Sequence, residues 1–171
     1  MGVSLGMTRL YGWSLRGKRI EEYVPDVRFE RTSVIAAIGL EGYIAPWTYK
    51  NTLNGNLWTV PIKDILTPEM KAGDILILDN LSVHKVKNME CLKPLTDKGV
   101  TIIWLPPYSS DLNPIELSWS KLKAYIRKRK PRTFDELIEC IKEGIEKITK
   151  DDIENWFRHD GYILAPLSVN V

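Results

Sequence analysis

Apolar positions form short unbroken runs through the first two thirds of the chain and helical stripes through the last. Ser33-Val-Ile-Ala-Ala-Ile-Gly-Leu40 stops at Glu41-Gly42, and Tyr43 to Tyr49 returns from that turn, so the pattern predicts a pair of neighbouring strands. Ile75 to Leu78 and Val100 to Leu105 are also strand-length runs, closed by Asp79 and by Pro106-Pro107. Lys85 to Lys98 has helical patterning that ends at Gly99, and Asn56 to Glu69 is amphipathic and predicts another helix. Trp13 to Lys18, with Gly17 inside it, predicts a turn. In the last third, Ile115, Trp119, Leu122 and Ile126 share one helical face, and Phe134, Leu137, Ile138, Ile141, Ile145 and Ile148 share another. Pro131 separates the two helices, and Thr133 with Glu136 forms a capping box for the second. Strands first, then strand-helix-strand units, then helices predict an α/β fold with a mixed sheet.

Composition narrows this only slightly. With 171 residues and 44% hydrophobic content, the chain supports one ordinary core, so residues 1–171 are expected to form a single domain. The apolar runs fall far short of the roughly 20 residues that cross a bilayer. No charged and apolar leader opens the chain, so the expected location is the cytoplasm. Cys91 and Cys140 stand far apart without metal-ligand spacing and read as buried small apolar residues. A net charge of +2 does not by itself point to nucleic acid, but its distribution does. Lys121, Lys123, Arg127, Lys128, Arg129, Lys130 and Arg132 fall within twelve residues that contain no acid, a cluster able to neutralise phosphates.

Two carboxylates stand where a regular element meets a loop. Asp79 ends the run Gly73-Asp-Ile-Leu-Ile-Leu-Asp-Asn80, and Glu116 sits three residues into a helix that Asn113-Pro114 opens. Each has a structural explanation beside the chemical one: Asp79 in an Asp-Asn turn, Glu116 as the partner of an Asn113 cap. Glu116 also leads a stripe through Ser120, Lys123, Arg127 and Lys130, which would carry DNA phosphates toward the carboxylate. His84 and His159 fit local hydrogen bonds better than catalysis, and Asp111 reads as loop and cap chemistry. The tryptophans are scattered, most are expected in the core, and none is assigned to base stacking.

Leu78-Asp-Asn80, His84-Lys85, Leu105-Pro-Pro-Tyr-Ser-Ser-Asp-Leu-Asn-Pro-Ile-Glu116 and Trp119-Ser-Lys-Leu-Lys123 together resemble the mariner-like and bacterial insertion-sequence transposases, whose active site is an Asp-Asp-Glu triad. Thirty-six residues lie between Asp79 and Glu116, close to the family's spacing of roughly three dozen between its second Asp and its Glu. Tyr11-Gly-Trp-Ser14, Gly17 and Trp156-Phe-Arg-His-Asp-Gly-Tyr162 extend the resemblance along the chain. It implies a ribonuclease-H-like mixed sheet flanked by helices, with Asp79 and Glu116 as catalytic metal ligands. It also implies a two-metal Mg²⁺ site that could take Mn²⁺, and DNA contacts at Lys121, Lys123, Arg127, Arg129 and Lys130. Double-stranded DNA would be the partner, as transposon end and as target, bound by a homodimer of the complete enzyme.

The family's first Asp is expected on a strand just before Gly2, and its helix-turn-helix modules earlier still. The sequence therefore reads as a catalytic domain incomplete at its N-terminal side, without its first strand and inactive alone in DNA cleavage and strand transfer. A non-catalytic chain that binds DNA or an intact transposase and inhibits transposition is the alternative; coexpression with an intact relative separates the two.

Overall fold

The computed structural model describes residues 1–26, 29–50, 59–79 and 89–164. Strand β1 (Gly2–Ser4) pairs antiparallel with β2 (Arg31–Gly39), and β2 pairs antiparallel with β3 (Gly42–Lys50). The predicted turn is the tight connection at Leu40-Glu41, where Gly39 opposes Gly42 and Gly42 takes a φ of +138° that a side chain would resist. A register shift between Ile35 and Ala37 bends β2.

A π-helical stretch (Pro61–Leu66) runs into α1 (Thr67–Glu69), and β4 (Ile75–Leu78) follows. Helix α2 (Met89–Asp97) crosses to β5 (Thr101–Trp104), which pairs parallel with β4 from Ile75 opposite Thr101 to Leu78 opposite Trp104. Gly99 stops α2 as predicted: at φ +89° its N–H donates to the Thr96 carbonyl, and Val100 N–H reaches back to Leu95. The helix starts expected at Asn56 and Lys85 lie outside the described residues. Among the described residues the three antiparallel strands and the two parallel strands are hydrogen-bonded as separate sheets.

Three helices complete the fold: α3 (Pro114–Arg129), α4 (Phe134–Glu146) and α5 (Lys150–His159). The predicted capping box of α4 is formed in both directions, between Thr133 and Glu136. Helix α5 has a second one, Thr149 with Asp152. Two apolar clusters result. Ile62, Leu66, Leu76, Leu78, Leu92 and Leu95 fill the space between β4 and the helices on either side of it in sequence. Val3, Val34, Trp119, Leu122, Ile126 and Leu137 join β1 and β2 to α3 and α4. The two helices touch closely because residue 144 is glycine, where an added Cβ would stand 2.4 Å from Leu122 Cδ1. Cys91 lies in the first cluster and Cys140 in the second, both as free thiols that burial pushes up in pKa.

Candidate active site

Asp79 is the residue that leaves β4. Parallel pairing with β5, and the bond from Leu105 N–H to the Leu78 carbonyl at 2.8 Å, fix that strand end. Asp79 is half-buried there, at the carboxyl end of a parallel strand, where α/β sheets gather ligand-binding groups.

Glu116 comes from the first turn of α3, and that turn is held from two sides. Ser118, fully buried, donates to the Ile115 carbonyl at 2.7 Å and accepts from the Tyr43 hydroxyl of β3 at 2.8 Å. The Tyr43 ring rests against Trp119 at 5.4 Å between centroids, and burial pushes its hydroxyl up to about 12 although the Ser118 bond acts the other way. From the opposite side the Tyr162 hydroxyl donates to the Leu112 carbonyl at 2.8 Å, fixing the 3-10 turn Ser110–Leu112 that leads into the helix.

The competing explanation for Glu116 does not survive the structure. Asn113 caps α3 only with its backbone, which accepts the Glu116 N–H at 2.9 Å, and its side chain makes no capping bond. The capping box expected here is not formed, because Pro114 at the first helical position leaves fewer N–H groups to satisfy and the exposed Glu116 carboxylate turns elsewhere. It lines a cleft.

That cleft, about 590 Å³, runs between β2 and β4, with Val34 to Gly39 on one wall and Ile75 to Leu78 on the other. Asp79 and Glu116 both line it, with Met1 and Arg31. The Met1 ammonium, bonded to the Val34 carbonyl at 2.7 Å, reports the local field. Burial lowers its pKa, Glu116 and Asp79 act to raise it, and Lys123 and Arg31 act to lower it. Both carboxylates thus favour positive charge at one place. Their hard oxygen donors suit Mg²⁺ or Mn²⁺, which would complete its shell with water or phosphate oxygens. Among the described residues no group of three His, Cys, Asp or Glu side chains is placed to hold a metal.

The basic cluster divides into engaged and available groups. Lys121 is ion-paired with Asp152, Arg129 with Glu143 at 3.2 Å, and Lys130 with Glu22. Arg132 donates to the Leu5 carbonyl at 2.6 Å and so ties the start of α4 to the chain after β1. Lys123 is near enough to the cleft to act on the Met1 ammonium, and Arg127 is exposed with no acid partner among the described residues. Replacing Lys123 and Arg127 with Ala is expected to reduce the salt slope of duplex binding by about 0.9 for each lost phosphate contact. Replacing Lys130 should change it less, because Glu22 already neutralises it. An unchanged slope in the Lys123→Ala, Arg127→Ala chain would remove α3 from the DNA path.

His159 bonds its neighbour Asp160 at 2.9 Å, the local role expected, and His84 lies outside the described residues. Asp111 is exposed in the 3-10 turn and does not line the cleft. Sequence reasoning missed Tyr43, Ser118 and Tyr162 as supports of the Glu116 turn. The buried Ser118 between Glu116 and Trp119 was the available signal, since a core-facing hydroxyl needs a partner.

No helix among the described residues is long and apolar enough to cross a membrane. No curated protein sequence matches the chain. Several solved structures share its fold. The Mos1 transposase paired-end complex with left transposon end matches at a TM-score of 0.62 and 14% identity, over 94% of this chain and 53% of that one. The Mos1 strand transfer complex matches at 0.61 and 16%, over 96% and 54%. The mariner Mos1 paired end complex with Mg matches at 0.62 and 14%, over 96% and 55%. The chain thus spans just over half the length of those transposase chains. At such identities the likeness establishes the fold, the ribonuclease-H-like α/β arrangement of a transposase catalytic domain. The sequence profile of the DDE superfamily endonucleases matches residues 1–138, and the chain belongs to that family.

Proposed function

We propose that residues 1–171 form one catalytic domain of an insertion-element transposase, which acts in the cytoplasm on double-stranded DNA by metal-dependent cleavage and strand transfer. The observation that carries this reading is the convergence of Asp79, from the end of β4, and Glu116, from the start of α3, on one cleft where both favour positive charge. Mg²⁺ or Mn²⁺ bound there would help activate the attacking oxygen and stabilise the charge that develops on the leaving one. The chain's own part is to hold the two carboxylates on rigid elements and to lead phosphates in along Lys123 and Arg127. In this reading the enzyme works as a dimer, consistent with the need to handle two transposon ends.

In this reading Asp79 and Glu116 are two ligands of a three-carboxylate site, and the third ligand comes from outside these 171 residues. Strand transfer of labelled duplexes, taken from the DNA that flanks the reading frame, tests it. The 171-residue chain alone is expected to give no product with Mg²⁺ or Mn²⁺, because a site short of one ligand binds metal weakly and misplaces the attacking oxygen. Product that disappears in Asp79→Asn would overturn the expectation of inactivity and keep the assignment of Asp79. Product that survives both Asp79→Asn and Glu116→Gln would overturn the active site itself.

A further inference from the structure

The expectation that most tryptophans lie in the core fails: among the described residues Trp119 alone is buried, and Trp13, in the segment between β1 and β2, is the most exposed. Trp13 is 102% exposed and Tyr11 91% exposed, and no helix or strand covers residues 9–26. The segment is nonetheless shaped. Ile20 folds back onto Gly12, where an added Cβ would meet Ile20 Cδ1 at 3.1 Å. Lys18 N–H donates to the Leu15 carbonyl at 2.9 Å, with Gly17 at φ +83°, and the Ser14 hydroxyl donates to the Lys18 carbonyl. Glu22 then pairs with Lys130, which docks the segment against the basic end of α3. What results is an arm that presents two aromatic faces to solvent.

Its charge is one-sided. Residues 9–19 contain Arg9, Arg16, Lys18 and Arg19 and no acid, and all four bases are exposed without an acid partner among the described residues. Exposed aromatic rings interleaved with bases suit a nucleic-acid strand whose bases are unpaired, because stacking needs an open base face and the cations follow the backbone. Duplex DNA hides those faces. A second copy of the chain fits less well, since a two-fold contact between arms would bring four bases against four with no acid between them.

We propose that this arm binds single-stranded DNA, with bases stacked on Trp13 and Tyr11 and phosphates against Arg9, Arg16, Lys18 and Arg19. The inference deepens the transposase reading, on which it rests only for the source of the strand: DNA breakage at the cleft would supply unpaired ends.

The test is fluorescence anisotropy of a labelled oligothymidylate of about 15 nucleotides with the 171-residue chain, between about 50 and 200 mM salt. Tyr11→Ala with Trp13→Ala is expected to weaken binding about tenfold for each stacked base lost. Melting temperature and duplex affinity should stay the same, and Trp13→Phe should recover part of the loss. Arg16→Ala with Arg19→Ala should lower the salt slope by about 0.7 per phosphate contact. Unchanged oligothymidylate affinity in a folded double aromatic variant overturns the proposal. So does a sedimentation result in which the wild type is a dimer, that variant is a monomer, and strand affinity is unaltered, because the arm is then a protein contact. The readout is separate from the cleft: the arm variants should leave Mn²⁺ affinity unchanged, and Asp79→Asn and Glu116→Gln should leave oligothymidylate affinity unchanged, so failure of one reading is distinguishable from failure of the other.

Discussion

Asp79→Asn and Glu116→Gln are each expected to weaken Mn²⁺ binding by the chain at least about tenfold, the lower end of what even a supporting residue costs a metal site. Both substitutions keep size and shape while removing a charge, so the loss would report the electrostatic pull that each carboxylate exerts at the cleft. That pull is visible in the Met1 ammonium, which both residues stabilise. Arg31 and Lys123 act against it at the same place, so the wild-type affinity should be modest and should fall with added salt. Water-proton relaxation of Mn²⁺ solutions gives the affinity without any need for catalysis. Asp111→Asn is the control, because Asp111 lies in the exposed 3-10 turn away from the cleft and should leave the affinity alone. Equal affinities for wild type and both cleft variants would mean that the two carboxylates do not share a metal.

The legible parts of this chain were those where one local signal had one structural outcome. The Glu41-Gly42 turn, the stop at Gly99, the Thr133 capping box and the apolar stripes of α3 and α4 follow from backbone preference and periodicity, and each stands where the sequence put it. Helix α5 carried an equally clear start in Thr149 and Asp152 but a short apolar stripe, so its boundaries were not drawn. The π-helical turn at Pro61–Leu66 has no local code to read. At the site, Asp79 and Glu116 could be singled out from their positions at element ends, yet their meeting in one cleft depends on how β4 and α3 pack, which no local pattern states. The capping box at Asn113 failed for the opposite reason: the residues were right, and tertiary contacts from Tyr43 and Tyr162 hold the turn instead. The basic cluster reads as uniform in the sequence, but acids from distant segments, Glu22, Glu143 and Asp152, engage three of its members. Likewise Trp13 is indistinguishable by residue type from the buried Trp119, and only the fold separates them.

Leu122→Ala is expected to be the most damaging single substitution to stability, at about 2–5 kcal/mol. Leu122 has no exposed surface, lies in the middle of α3 and is packed against Gly144 of α4 so closely that a methyl group there would not fit. Because Gly144 has no side chain that could swing into the space left by three missing carbons, that space cannot close without moving α3 or α4, which places the cost toward the upper part of the range. For a chain of this length the midpoint of thermal unfolding should fall by about 2–4 °C per kcal/mol. The effect also reaches the site. The same helix carries Glu116 two turns earlier, and its first turn is fixed by the Tyr43 and Ser118 bonds rather than by Leu122. Folded Leu122→Ala protein should therefore bind Mn²⁺ as the wild type does while melting far earlier, and Tyr43→Phe should show the reverse order of effects. A Leu122→Ala chain that loses metal affinity at temperatures where it is still folded would show that α3 moves as one rigid body, with its carboxylate end set by the core and not by the Tyr43 contact.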